Sequence, residues 1–248
     1  LEKHIIWMKL WDNSQSKIEI KADIPISIYL LHNVENENLK THIETVNARK
    51  NLKMASDVYI DPHYSVPLAF HSIFSKLSEL IKHQNLALDV KTKTVKCQGE
   101  KFNLPDDYEL SHMFAIATYR IKDGYIVKKM TERHPDTEKP KLIIANKSSL
   151  CGAYIDDGRL GLTGNHKFYI LGNQLEKIQQ LFKTKIGRII AHYTKYSQDF
   201  LEKDAFIYMP DVRKISEKEL PKITDKNLYK LLKLTDDEIQ LIETYQDE

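Results

Sequence analysis

"HKFYILGNQLEKIQQLFKTKIGRIIAHYTKY", residues 166 to 196, changes its period partway along. The opening HKFYIL is a short aromatic and β-branched run of strand length, bounded by the glycines at 164 and 172. From Asn173 onward the apolar positions are Leu175, Ile178, Leu181, Phe182, Ile186 and Ile189, the spacing of one face of a single long helix. A strand that gives way to a helix at this point, late in the chain, separates a β-rich middle from a helical end.

Working outward, the same change of period occurs once before. PLAFHSIFSKLSELIKHQ (67–84) sets Leu68, Ile73, Phe74, Leu77, Leu80 and Ile81 at helical spacing, which predicts an amphipathic helix. Ahead of it, ADIPISIYLLHNV (22–34) and LKTHIETV (39–46) alternate around a polar ENEN turn, as a hairpin would, and SDVYIDPHYSVP (56–67) reads as a Pro-punctuated connection. After it come LDVKTKTVKCQG (88–99) and MFAIATYRIKDGYIVKKM (113–130), the second a hairpin with Lys-Asp-Gly at its turn, then the short buried strand PKLIIAN (140–146). SQDFLEKDAFIYMPDVRKI (197–215) is mixed and ends at a Pro-marked stop. The tail predicts two short helices, the first capped by Thr224 or Asp225, the second opened by a Thr235–Glu238 capping box. Strands, a helix, more strands and then helices make an α+β fold: a mixed β-rich domain with a long amphipathic helix and a C-terminal helical segment.

Composition narrows the class of function. With 248 residues, 42% apolar and 29% charged, the chain can bury a sizeable core. Its apolar runs are strand-length and far short of the ~20 residues of a membrane helix, so no membrane partner is expected. LEKHIIWMKLW, at the start, has neither a signal-peptide layout nor an initiator methionine and reads as a piece of a longer chain. Two cysteines without a C-x-x-C pair point to an intracellular, cytoplasmic protein with no structural metal. The net charge of +2 is unevenly spread: residues 139–203 hold eleven Lys and Arg against five acids, and 215–248 hold five Lys against nine. Either a polyanion-binding face or a solvated lysine-rich surface gives such a distribution.

The chain has no G-x-G-x-x-G, G-x-x-x-x-G-K-[ST], G-x-S-x-G or H-E-x-x-H motif. Four of its eight glycines fall in CGAYIDDGRLGLTGNHKFYI (151–170), and a fifth is Gly172. Gly158, Gly161 and Gly164 are followed by a strand rather than a helix, so they form no phosphate cradle. Asp156 and Asp157 would face opposite ways on a strand, and in Asp-Asp-Gly they fit a turn. His32 and His42 flank the expected hairpin and could meet across it, but two separate surface histidines are the favoured reading. Asn146, Lys147, Ser148 and Ser149 precede the glycines, and Arg159, Asn165, His166 and Lys167 lie among or after them. Asn and Arg can read purine edges in two-point contacts, while Ser and Lys suit phosphates. A β-hairpin with wide turns accounts for the same glycines.

"ITDKNLYKLLKLTDDEIQLIE" (223–243) resembles the closing segment of many DNA N6-adenine methyltransferases. "YTKYSQDFLEKDAFIYMPDVRKI" (193–215) is similar to the Phe-x-x-x-Pro-Asp stretch that precedes it in that family. "KPKLIIANKSSLCGAYIDDGRLGLTGNHKFYIL" (139–171) resembles the body of their target recognition domain, and "IPISIYLLHNV" (24–34) a late strand of their methyltransferase fold. These stretches cover roughly half of the chain. The family's [DNS]-P-P-[YFW] motif, which holds the flipped adenine, and its glycine motif for S-adenosylmethionine have no counterpart here: no two prolines are adjacent and no G-x-G occurs.

The resemblance implies the target recognition module of a type II or type IIG restriction–modification enzyme, without its catalytic half. Residues 1–60 would be a β segment like the tail of a methyltransferase domain, 61–215 the DNA recognition domain and 216–248 a C-terminal helical tail. Double-stranded DNA is the implied partner, with a catalytic domain in the same chain or a separate subunit. S-adenosylmethionine belongs to that parent enzyme, and this fragment carries no cofactor or catalytic residue of its own. Lys139, Lys141, Lys147, Arg159, Lys167, Lys185, Arg188 and Lys195 are the candidate cationic contacts. Asn146, Ser148, Ser149, Tyr154, Asn165 and His166 are the candidate base readers. A reading of another class is a protein-interaction module that docks a partner through its acidic C-terminal helices.

Overall fold

The computed structural model describes residues 5–11, 18–19, 21, 26–31, 40–47, 52–59, 70–104, 113–120, 124–145, 153–163, 167–193 and 203–245. The chain forms two compact units, Leu1–Phe74 and Ser75–Glu248. Helices and mixed open sheets together make an α+β fold.

The first unit holds β1 (Ile5–Trp11), β2 (Ile26–Leu31), β3 (Lys40–Asn47) and β4 (Leu52–Tyr59) in the order β2-β1-β3-β4. The hairpin expected of β2 and β3 is not formed. β1 lies between them, antiparallel to β2 and parallel to β3. As the apolar run IIWMKLW, β1 pairs both rows of its backbone groups in that position, which a strand at the edge could not. The true hairpin is β3–β4, with Asn47 opposite Leu52. Residues 56–59, expected in a connection, are the end of β4. His32 is outside the described residues, and β1 lies between β2 and the strand of His42. His42 instead has Nδ1 2.7 Å from Asp57 Oδ1 across β3–β4.

α1 (His71–Gln84) fulfils the expected helix and buries Ile73, Phe74, Leu77 and Ile81. In the second unit β5 (Cys97–Asn103), β6 (Phe114–Arg120), β7 (Gly124–Met130) and β10 (Gly161–Leu162) form a sheet in the order β10-β6-β7-β5. β6 and β7 are the expected hairpin, and Gly124 at its turn has φ +65°. β8 (Lys141–Ala145), β9 (Tyr154–Asp156) and β11 (Lys167–Leu171) form a second sheet with β8 in the centre, antiparallel to both neighbours. Leu142, Ile143 and Ile144 are fully buried, because a central strand covered on both faces reads as a continuous apolar run. Phe114, Ile116 and Val127 of one sheet share a core with Ile143 and Tyr169 of the other, together with Leu160 and Leu162.

The long helix expected from Asn173 is two helices, α2 (Leu175–Lys183) and α3 (Lys185–Tyr193). Thr184 is extended at ψ 159° and breaks the run. Its hydroxyl accepts from the Gly187 N–H at 3.1 Å, and the carboxylate of Asp225 accepts from the Lys185 N–H at 2.8 Å. Both satisfy the unpaired donors of α3's first turn. At Gly187 a Cβ would stand 2.3 Å from the Leu181 carbonyl oxygen, so only glycine lets α3 start this close to α2.

Of the mixed segment, residues 203–215 are described and form short 3-10 turns at Lys203–Tyr208 and Val212–Lys214, on either side of Pro210. The tail forms α4 (Asp225–Leu231) and α5 (Asp236–Glu243). Thr224 caps α4, and the Thr235–Glu238 capping box is complete in both directions. Among the described residues no helix is long and apolar enough to cross a membrane.

Candidate nucleic-acid interface

The glycine segment is built against its own chain. A Cβ at Gly158, where φ is +97°, would lie 2.8 Å from the Glu138 carbonyl oxygen, and one at Gly161 would lie 2.6 Å from Met130 Sδ. These glycines bring residues 157–161 onto the segment 130–139. Gly172 has φ +116° and lies beside the Arg213 guanidinium, which donates to the Leu171 carbonyl at 2.9 Å. Residues 151–172 are therefore no simple hairpin. The chain leaves β8's neighbour β9, contributes β10 to the other sheet, and returns as β11.

A buried polar knot fixes that crossing. Lys141, fully buried, donates to the carbonyls of Thr137 and Lys139 at 3.1 and 3.0 Å and to Asp156 Oδ2 at 2.6 Å. Asp156 Oδ2 also accepts from the N–H groups of Gly158 and Leu160, which makes Asp-Asp-Gly the expected turn. An ammonium has three N–H donors, and all three of Lys141's are used inside the protein, so it is not the phosphate ligand that its place in the basic stretch suggested. Burial pulls its pKa below the usual lysine range and Asp156 opposes that. Next to it, buried His134 accepts from the Asp136 N–H through Nδ1 at 3.1 Å, which makes Nε2 the protonated nitrogen and directs it to the Lys93 carbonyl at 3.0 Å. Burial holds His134 below its ordinary pKa.

The remaining described candidates are separated. Arg159 Nε donates to Asp157 at 2.7 Å, and Lys139 Nζ to Asp136 at 2.8 Å; both are exposed. They lie at the Lys141 end of β8, where Lys141 faces Asp156. Lys167 faces Ala145 at the other end, about 13 Å away at the ~3.3 Å rise of a strand. Arg159 and Lys167 therefore do not converge on one point, as their place in one loop suggested. Lys185 donates to the Glu243 carboxylate, and Arg188 is exposed on the same helix. Tyr154 stacks on Tyr119 with ring centres 4.5 Å apart, and Tyr125 beside it donates to the Ile155 carbonyl at 2.8 Å. Burial raises the Tyr125 and Tyr154 phenols above their ordinary range. Asn146, Lys147, Ser148, Ser149, Asn165, His166 and Lys195 lie outside the described residues.

Because Lys167 faces Ala145, β8 ends and β11 begins at the same end of their sheet, and these are the strand ends next in sequence to Asn146 and to His166.

A second group of cations escaped the sequence reading. Lys93, Lys96, Lys101 and Lys129 are exposed, and among the described residues none of them has a carboxylate at ion-pair distance. KTKTVKCQGEKFN (91–103) holds four lysines against one acid, a signal outscored by the longer basic stretch after it. Three of the tail's nine acids are engaged internally, Glu238 with Lys76 at 2.6 Å, Glu243 with Lys185 and the Tyr229 hydroxyl, and Asp225 with α3, while Glu217, Asp236 and Asp237 are exposed. Among the described residues no group of three or more His, Cys, Asp or Glu side chains is placed to hold a metal.

No protein-family model matches this chain. No curated protein matches it either.

Proposed function

We propose that this chain is the sequence-specific DNA-binding module of a site-specific DNA adenine-N6 methyltransferase or restriction–modification enzyme, acting in the cytoplasm on double-stranded DNA. The observation that carries the reading is the β8–β11 register, which starts the Asn146–Ser149 and Asn165–Lys167 segments from one end of one sheet. Two segments bearing Asn, Ser, His and Lys supply both kinds of group that a groove contact needs, base readers and phosphate ligands. Their strand ends, Ala145 of buried β8 and Lys167 of β11, are directly paired.

The chain does not transfer a methyl group in this reading. Neither the adenine-holding motif nor a glycine motif for S-adenosylmethionine has residues here, and a catalytic domain elsewhere in the same protein or in a partner subunit supplies both.

The test is equilibrium binding of a fluorescent duplex to wild type and to Lys147→Ala/Lys167→Ala at several salt concentrations. Loss of two phosphate ligands should make the negative slope of log K against log salt shallower by about 1.8, at about 0.9 per contact. Equal slopes would remove these loops from the interface.

A further inference from the structure

We infer that the outer edge of β5, with Lys93, Lys96, Lys101 and Lys129, is a second contact surface for the DNA phosphate backbone. This rests on the DNA-binding reading above and adds a surface that the loops at the end of β8 do not include. β5 is the last strand of its sheet and is exposed along nearly its whole length. Val95 and Met130 are buried in one small cluster with Cys97 packed against it, so these side chains point inward. Side chains alternate along a strand, which turns Lys96 and Gln98 to the opposite face. Lys129 stands directly opposite Gln98, and the Thr131 N–H donates to the Lys96 carbonyl at 3.1 Å, so Lys96 and Lys129 are neighbours on that face. The register shifts between Gln98 and Phe102, around Gly99 at φ +74°. A bulge of this kind re-aims the residues beside it, here Lys101. Lys93 precedes the strand, its carbonyl held by His134.

Two features mark these lysines. Lys139, Arg159 and Lys185 each donate to a carboxylate, whereas these four, like exposed Lys183 and the lysines of the acidic tail, make no ion pair among the described residues, and Glu100 is the single acid within residues 91–103. Lys93, Lys96 and Lys101 are also strung along an extended edge, with Lys129 beside them on β7. Lys96 stands opposite Thr131; Phe102, next to Lys101, stands opposite Val127, about 13 Å away at a strand's rise, a length along which one DNA strand presents roughly four phosphates. Uncompensated positive charge in a row matches a polyanion of regular spacing. Lysine also guards exposed sheet edges against pairing with another chain, and that role makes the opposite prediction for DNA.

The experiment measures the salt dependence of binding to a random-sequence duplex for wild type and for Lys96→Gln/Lys101→Gln/Lys129→Gln. Alongside it, lysine acetylation of the wild-type protein is mapped by mass spectrometry with and without that duplex. The inference predicts a negative slope shallower by up to about 2.7 in the triple variant, and protection of Lys93, Lys96, Lys101 and Lys129 by DNA. A wild type that binds with a salt slope, a triple variant with the same slope and unprotected lysines would overturn this inference and leave the β8 loops as the interface. A wild type with no salt-dependent affinity would overturn the DNA-binding reading and this inference with it. Because acetylation is read on the wild type, the result stands even if the triple variant fails to fold.

Discussion

Lys141 and Lys139 are two residues apart and do opposite work. Lys141 is sealed in with Asp156, while Lys139 keeps 59% of its side chain in solvent beside Asp136. Removing one partner of a buried pair strands the other charge, so Lys141→Met should lose about 3–5 kcal/mol in urea unfolding. Lys139→Ala should lose less than about 1 kcal/mol. Similar losses for the two would contradict the buried pair. His134 sets a pH dependence. Its pKa is lowered in the folded protein, so the unfolded chain takes up the proton first as pH falls. Its contribution is complete above the ordinary value of 6.5 and is lost as pH falls from there through the depressed native value. An NMR titration should place the His134 midpoint below 6.5; a midpoint at or above it would refute the buried neutral ring. Neither role was legible in the sequence. The partner of Lys141 is 15 residues away and the carbonyl that fixes His134 is 41 away, so a basic stretch looked uniformly solvent-facing.

At the scale of elements, what local chemistry governs was readable. The apolar stripe of α1, the β6–β7 hairpin with its glycine, the buried run of β8 and the Thr235–Glu238 box all follow from neighbours within a few residues. What distant partners govern was not. The parallel β1–β3 pair leaves no local mark, since each of its strands alone would accept a hairpin. The break at Thr184 is fixed in part by Asp225, 40 residues on, which leaves the cap of α4 to Thr224 and serves α3 instead. Asp225→Ala should therefore destabilise the unit by about 0.5–2 kcal/mol and increase amide exchange in the first turn of α3. Faster exchange confined to α4 would mean that Asp225 serves only its own helix. The glycines show the same divide: their need for space was evident, but the backbone at Glu138 and the sulfur of Met130 that impose it lie elsewhere in the chain.

For the whole molecule, the candidate site was half legible. The loops around Asn146 and Lys167 were chosen for their chemistry, and the β8–β11 register places their roots together. Lys141 was chosen for its charge in a basic stretch, and a buried ion pair removes it; Arg159 is exposed but starts from the other end of β8 than Lys167. The lysines of the β5 edge were overlooked because the charge count favoured a longer stretch, although paired cations there contribute less net field than unpaired ones. All of this makes one central claim, that the chain holds DNA largely through phosphate contacts. Fluorescence anisotropy of a random-sequence duplex with the wild-type protein, from about 50 to 200 mM salt, tests it most directly. The account predicts a straight line of log K against log salt with a slope of about −4 or steeper, for the loop and edge lysines together. Affinity that is absent at the lowest salt, or unchanged across the range, would contradict it.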